Sequence, residues 1–136
     1  MNNLIAILLI SLTPFDFLEM PQEKVNSQQT VKEQENSKKV ILYFTASWCG
    51  PCKSFKDKEL PKLKELGLES STGNDNEISD IEIYDVDIHS DFYKKMKKSD
   101  RFIPLFIFLD KDGLEYARLS GYQSAENIIK VWNTKK

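Results

Sequence analysis

Two cysteines separated by two residues are the part of this sequence best suited to chemistry. Cys49 and Cys52 are the only cysteines of the chain, and Gly50 and Pro51 lie between them. The apolar run 40–44 precedes the motif and is typical of a buried strand, and a helix is predicted to begin within the motif. A thiol at a helix N-terminus faces unpaired backbone N–H groups and the positive end of the helix dipole, which favour the thiolate. The pattern predicts thiol–disulfide exchange, with Cys49 as the nucleophile and Cys52 as the resolving thiol.

The two residues between the cysteines fit this interpretation. Pro51 suits the first helical turn, where its missing N–H costs nothing. Gly50 lets the backbone turn tightly and leaves the sulfur of Cys49 accessible. A structural zinc site normally takes four protein ligands, and the chain has two cysteines and one histidine, His89. Redox chemistry is therefore favoured over a zinc site or an incidental pair, and we predict no metal and no organic cofactor.

Composition limits the classes of partner. The chain has 136 residues, enough for one domain with a real core, and its 29% charged and 40% hydrophobic residues are an ordinary soluble balance. The formal net charge is −2, which gives no electrostatic argument for nucleic acid or an anionic membrane as the main partner. The lysines within 94–98 are interpreted as a solvated helix face, because no aromatic residues are interleaved for base stacking.

The N-terminal residues 1–18 contain an apolar run, 4–12. This run is shorter than the roughly 20 residues of a membrane span and falls in the range of a signal-peptide core. Residues 1–3 carry no Lys or Arg, and no clear cleavage site follows. We expect an exported or membrane-attached protein; the alternative is a cytoplasmic protein in which the run packs on the domain. Residues 19–37 are polar and predict a linker or an N-terminal helix.

A longer stretch of sequence connects the motif to a known family. Residues 44–53, which read Phe-Thr-Ala-Ser-Trp-Cys-Gly-Pro-Cys-Lys, resemble the active-site segment of the thioredoxin family. The resemblance continues in order at Ile103 and Pro104, in the position of the family's cis-proline loop, and at Gly121, which matches a glycine after the last strand. It covers residues 38–136. It implies an α/β thioredoxin-like fold with a central mixed sheet and helices on both faces.

The remaining elements are predicted from periodicity and turn residues. The motif is followed by a helix that is interrupted at Pro61 and carries on one face Cys52, Phe55, Leu63 and Leu66. A strand at 81–87 and a helix capped by Ser90 come next. The chain then forms a hairpin of strands 105–109 and 114–120, and a last helix capped by Ser124. Residues 70–76 indicate a loop, either a surface insertion or a segment that contacts the substrate and selects it.

Thioredoxins place a strand and a helix before the active-site strand. Residues 28–36 can supply the helix, but no convincing first strand is seen, so the sheet is expected to lack it.

The resemblance also assigns a site. It implies disulfide-containing protein substrates and an unidentified electron donor (a reductase). Lys53, next to Cys52, is expected to add a modest favourable field. The substrate groove implied in this way is lined by Trp48, Phe102, Ile103, Pro104, Ser120, Gly121 and Tyr122.

Three positions depart from the family pattern. Phe102 is bulkier than the glycine often found there. Tyr43 stands six residues before Cys49, where thioredoxins commonly bury an aspartate, and Ile83 replaces the lysine often paired with that aspartate. The predicted function is a thiol–disulfide oxidoreductase that reduces protein disulfides through a mixed disulfide. The alternative is a non-catalytic thioredoxin-fold binding module.

Overall fold

A computed structural model describes residues 38–73 and 78–136 and shows a mixed five-stranded sheet with helices packed against it. The strands are β1 (Val40–Thr45), β2 (Ser70–Thr72), β3 (Ile81–Asp85), β4 (Leu105–Leu109) and β5 (Glu115–Ser120). The helices are α1 (Gly50–Ser54), a π-helical turn (Phe55–Glu59), α2 (Leu60–Glu65), α3 (Ser90–Lys97) and α4 (Ala125–Trp132). The predictions for residues 1–18 and 19–37, and for a missing first strand, lie outside the described residues.

The sheet is built around β1, the apolar strand that leads to the cysteines. Its strand order is β2-β3-β1-β4-β5, with β1 parallel to β3 and antiparallel to β4. Alternate residues of β1 enter two separate apolar cores: Ile41 and Tyr43 pack on one face, and Leu42 and Phe44 on the other. A strand that is buried on both faces has a continuous apolar sequence, as residues 40–44 do. The predicted class, an α/β mixed sheet covered on both faces, is confirmed.

One edge of the sheet was not expected from the sequence. Ser70–Thr72, predicted as loop, forms β2 and pairs in parallel with β3, with Ser70 opposite Ile81. The buried Ser79 holds this edge, since its Oγ lies 2.6 Å from Oγ of Ser71 and donates to the carbonyl of Ile81 at 2.9 Å. Three polar residues carry no apolar alternation, so the loop prediction was wrong here. Residues 74–77 of the same predicted loop lie outside the described part of the chain.

The long helix after the motif is interrupted before Pro61, as predicted. The N–H of Leu60 donates to the carbonyl of Phe55, five residues back, which closes the π-helical turn. Because Pro61 has no N–H, it cannot continue the α-helical hydrogen-bond pattern, and α2 restarts with Pro61 in its first turn. The prediction for Leu66 was wrong. The helix ends at Glu65, so Leu66 leaves the buried face and is exposed.

The two predicted helix caps had different outcomes. Ser124 caps α4, and its Oγ accepts the N–H of Asn127 at 3.2 Å. Ser90 does not cap α3; it is the first helical residue, and His89 occupies the cap position without a side-chain bond. The cause lies in the preceding turn, where the backbone carbonyl of Asp85 accepts the N–H of His89 at 2.8 Å and sets the start of the helix.

Candidate active site

Strand pairing brings the separate parts of the predicted site to one end of the sheet. Residue pairs in the register place Phe44 opposite Leu105, and Leu105 opposite Ser120. The residues that follow β1, precede β4 and follow β5 therefore meet at this end. Thr45 pairs with Asp85 on the other side of β1, so the turn after β3 ends there as well. The sheet itself thus assembles the CxxC motif, the cis-proline loop and the turn at Gly121.

Cys49 and Cys52 form a disulfide with their Cα atoms 5.2 Å apart. Cys49 is the N-cap of α1, and its Sγ accepts the N–H of Cys52 at 3.2 Å. Cys52 is fully buried, and Cys49 is 5% exposed, so the predicted nucleophile is the more accessible of the two but is more covered than expected. Gly50 and Pro51 form the exposed first turn of α1, and Lys53 is exposed on the same helix. After reduction, the same N–H at the helix start stabilises a Cys49 thiolate.

The cis-proline loop lies against the dithiol. The peptide bond between Ile103 and Pro104 is cis, and the carbonyl oxygen of Ile103 is 3.7 Å from Sγ of Cys49. The carbonyl of Pro104 accepts the N–H of Gly121 at 2.8 Å. Gly121 has a φ of +90°, a conformation that favours glycine. The loop and the turn after β5 therefore form one continuous wall beside the sulfur atoms.

Exposed apolar side chains surround this end of the sheet. Trp48 is 67% exposed and Phe102 is 69% exposed, while Tyr122 and Ile88 also expose much of their surface. The indole Nε1 of Trp48 donates to Oδ2 of Asp87 at 2.9 Å, which fixes the ring over the turn. The sequence interpretation missed Ile88 and the role of Asp87. The position of both residues just after β3 was the available signal, because β1 and β3 are parallel neighbours and the residues that follow each strand lie at the same edge of the sheet.

Tyr43 lies beneath the dithiol as part of the core. It is fully buried, its ring stacks on Phe106 with centroids 4.9 Å apart, and its hydroxyl donates to the carbonyl oxygen of Cys52 at 3.2 Å. Burial raises the pKa of Tyr43 to about 12, with a smaller opposing effect from the hydroxyl of Thr45. The phenol is therefore neutral at physiological pH and serves the fold as a ring and a hydrogen-bond donor.

A buried carboxylate, Glu59, was also missed from the sequence. Its Oε1 accepts the hydroxyl of Tyr122 at 2.7 Å, and its Oε2 accepts the N–H of Ala125 at 2.8 Å. The hydrogen bond from Tyr122, then that from Ala125, holds the pKa of Glu59 below its usual value despite burial. The stability it contributes is complete above the usual glutamate pKa and is lost as pH falls through the lower folded-state value. Glu59 lies seven residues after Cys52 and four after Phe55, a spacing that places it on the buried side of the helix. That spacing was the signal available in the sequence.

Glu59 is not placed to take a proton from Cys52. The two residues are seven apart along the helix, a rise of about 10 Å at the usual 1.5 Å per residue. Both carboxylate oxygens are already occupied by Tyr122 and Ala125.

Comparison with known proteins shows the family. The family model described as a thioredoxin-like domain matches residues 26–136. The chain belongs to the thioredoxin-like domain family. The predicted class of a thiol–disulfide oxidoreductase with a redox-active CxxC pair is confirmed for this domain by that membership.

Individual relatives differ in how much of their length is matched. The thioredoxin of Chlamydia trachomatis is 32% identical over 108 residues, which cover 79% of this chain and 93% of that protein. The thiol:disulfide interchange protein DsbD of Campylobacter jejuni is 26% identical over 117 residues, which cover 78% of this chain but only 18% of that protein. The chain thus spans less than a fifth of the length of its DsbD relatives.

Solved structures share the fold. Thioredoxin NaTrxh from Nicotiana alata superposes with a TM-score of 0.54 at 21% identity, covering 82% of this chain and 89% of that one. The reduced thioredoxin pre-protein of Schistosoma mansoni gives a TM-score of 0.53 at 24% identity, with 79% and 88% covered. These likenesses establish the thioredoxin-like fold of the domain.

Within 38–73 and 78–136, no helix is long and apolar enough to cross a membrane. The same residues include no group of three or more His, Cys, Asp or Glu side chains arranged to hold a metal ion.

Proposed function

We propose that the reduced form of this domain reduces disulfides in protein substrates. In the first step the Cys49 thiolate attacks one sulfur of the substrate disulfide. A Cys49–substrate disulfide forms, the substrate S–S bond breaks, and the released substrate thiolate takes a proton from solvent. The accessibility of Cys49 relative to Cys52 supports this order.

The second step returns the domain to its disulfide form. Cys52 loses its proton and attacks Sγ of Cys49, which releases the second substrate thiol. Two electrons and two protons pass in total from the domain to the substrate. The Cys49–Cys52 disulfide of this structure corresponds to the product of that step. An electron donor, a reductase of unidentified nature, must then reduce the disulfide before the next turnover.

The observation that carries the reducing direction is the sparse stabilisation of the Cys49 sulfur. The N–H of Cys52 lies 3.2 Å from that sulfur, and the intervening Gly50 and Pro51 bring no charge. A strongly oxidising dithiol needs a reduced form that is strongly stabilised. With modest stabilisation of the thiolate, the domain holds its disulfide firmly and gives up electrons readily.

The proposed substrate site is the apolar rim around the dithiol. Trp48, Phe102 and Tyr122 expose large aromatic surfaces beside the cis-proline loop. Such a rim suits an extended, partly apolar segment of a protein substrate, since aromatic residues supply much of the binding energy at interfaces. The predicted groove residues Ile103, Pro104, Ser120 and Gly121 form its floor and wall in this proposal.

Reduction of insulin disulfides by the full chain, with dithiothreitol as the electron source, tests the proposed function. We expect turnover by the native protein and the loss of nearly all of it, about a thousandfold, in Cys49→Ser, because the remaining thiol, Cys52, is fully buried and cannot reach a substrate disulfide. Lys64→Gln, which changes an exposed lysine of α2 outside the predicted site, is the control and should keep most of the activity. Equal rates for the native protein and Cys49→Ser would contradict the proposal.

We also infer that the protein works outside the cytoplasm or at a membrane surface. The apolar run 4–12 supports this inference. The test is to isolate the protein from its cells, sequence its N-terminus and determine its compartment by fractionation. A processed N-terminus beyond residue 12, or recovery with membranes, is expected. An intact N-terminus on protein found in the cytoplasm would contradict it.

A further inference from the structure

Glu59 is a buried carboxylate that the proposed exchange reaction does not use. It is 6% exposed and lies at the end of the π-helical turn, on the same side of the helix as the fully buried Phe55 and Leu63. Burying a charge is costly unless it is paired and hydrogen-bonded. The groups that satisfy Glu59 therefore indicate what the carboxylate does for the molecule.

Both hydrogen-bond donors to Glu59 come from a distant segment, 121–125, which joins β5 to α4. They are the hydroxyl of Tyr122, at 2.7 Å, and the N–H of Ala125, at 2.8 Å. The exposed Lys62 adds an ion pair at 3.4 Å from the same helix. Hydrogen bonds to a charged group are about twice as strong as neutral ones. The carboxylate thus ties the helix that carries the dithiol to the segment 121–125.

The segment 121–125 in turn holds the cis-proline loop. Gly121, next to Tyr122, donates its N–H to the carbonyl of Pro104 at 2.8 Å. The neighbouring carbonyl of Ile103 lies 3.7 Å from Sγ of Cys49. A short series of contacts therefore runs from Glu59 to the wall of the groove beside the reactive sulfur.

We propose that Glu59 is a positioning residue for substrate binding. Its carboxylate holds the segment 121–125 and, through Gly121, keeps the cis-proline loop at the spacing from Cys49 that a substrate segment requires. The substrate part of this inference rests on the proposed function; the effect on the loop does not. Tyr122 has two roles in this arrangement, because its ring is part of the groove rim and its hydroxyl is the link to Glu59.

The test compares Glu59→Leu with the native protein in the full chain. Leucine removes both hydrogen bonds while filling the site with an apolar side chain. We expect KM for a peptide disulfide to rise about tenfold, the equivalent of one ordinary hydrogen bond, because only part of the lost bonding energy is transmitted to the cis-proline loop, and kcat should be nearly unchanged. The amide of Gly121 should exchange with deuterium faster by a similar factor, because its contact with Pro104 loosens.

Two further variants refine the test. Glu59→Gln keeps an acceptor for the N–H of Ala125 and offers an amide donor to the oxygen of Tyr122, so it should restore KM most of the way. Tyr122→Phe keeps the ring and removes only the hydroxyl, and should raise KM by a part of the Glu59→Leu effect. If Glu59→Leu does not fold, KM and the deuterium exchange of Gly121 in these two milder variants test the proposal.

Asp110 provides the matched control. It is also a buried carboxylate, 8% exposed, and accepts the N–H groups of Asp112 and Leu114 at the opposite end of β4 from Pro104. Asp110→Leu should lower Tm without changing KM or the exchange of Gly121. If Glu59→Leu behaves like Asp110→Leu in both measurements, the carboxylate is only structural and the proposal is overturned. If the native protein reduces no disulfide, the proposed function fails, and faster exchange at Gly121 in Glu59→Leu still supports the loop contact.

Discussion

Replacing Cys52 with serine is expected to convert the domain into a trap for its substrates. Cys49 in Cys52→Ser can still attack a substrate disulfide, but nothing remains to attack the mixed disulfide that forms. Covalent adducts should accumulate in proportion to added substrate, and steady-state turnover should fall about a thousandfold. The adducts are measured by non-reducing electrophoresis and mass spectrometry after trapping with acid.

The complementary variant makes this result specific. In Cys49→Ser the remaining thiol, Cys52, is fully buried, so adducts should be nearly absent under the same conditions. The double serine variant is the baseline for non-covalent binding. Adducts of equal yield on Cys52 in Cys49→Ser would show that the order of attack inferred from burial is wrong.

Substitution of Tyr43 with aspartate is expected to change both the stability of the domain and the pH dependence of its reaction. Tyr43→Asp removes a ring that packs on Phe55 and Phe106 and buries a carboxylate without the lysine partner, since Ile83 occupies that position. Removing a large core side chain typically costs about 3–5 kcal/mol, and an unpaired charge adds to this. Denaturant unfolding should show a decrease of at least that size in the free energy of unfolding.

The surviving folded fraction of Tyr43→Asp should react faster at neutral pH. The resolving step needs Cys52 to lose a proton in a buried site, and a carboxylate beneath it can accept that proton where a phenol of pKa about 12 cannot. The rate of the native protein should therefore rise with pH more steeply than that of the variant. Stopped-flow profiles between pH 6 and 8 measure this difference, and coincident profiles of folded protein would contradict it.

Tyr43→Phe separates the ring from the hydroxyl. It keeps the stacking on Phe106 and loses only the hydrogen bond to the carbonyl of Cys52, so a cost of about 1 kcal/mol in stability is expected. Its pH–rate profile should match that of the native protein, because a neutral phenol is not the base in this account. A tenfold slower resolving step in Tyr43→Phe would show that the hydroxyl takes part in the reaction.

Local patterns were sufficient to predict most of the fold. The apolar run in β1, the motif with Pro51 at a helix start, and the turn around Gly113 each depend on residues close together in sequence. The resemblance to thioredoxins then placed Pro104 and Gly121 beside the dithiol, where the structure has them. These features could be predicted from the sequence because they depend on neighbouring residues or belong to a specific motif.

Features that depend on long-range contacts were missed. Strand β2 has no apolar alternation and exists because Ser79 and β3 satisfy its polar groups. The helical spacing of Glu59 places it on the inward side, but the partners that make a buried carboxylate stable there, Tyr122 and Ala125, lie more than sixty residues later in the chain. Ser90 was assigned as a cap from its residue type alone, although the start of α3 is set by the turn after β3. In each case a tertiary contact overrides the local preference.

The reduction potential of the Cys49–Cys52 couple decides whether this dithiol gives electrons to substrates. A reducing potential is expected, because the Cys49 thiolate has a helix N–H and no charged residue between the cysteines to stabilise it. Equilibration of the full chain with defined ratios of reduced and oxidised dithiothreitol, read by alkylation and mass spectrometry, gives the value. We predict a potential near that of thioredoxin, about −270 mV. A value above about −180 mV, in the range of disulfide isomerases and oxidants, would contradict the account.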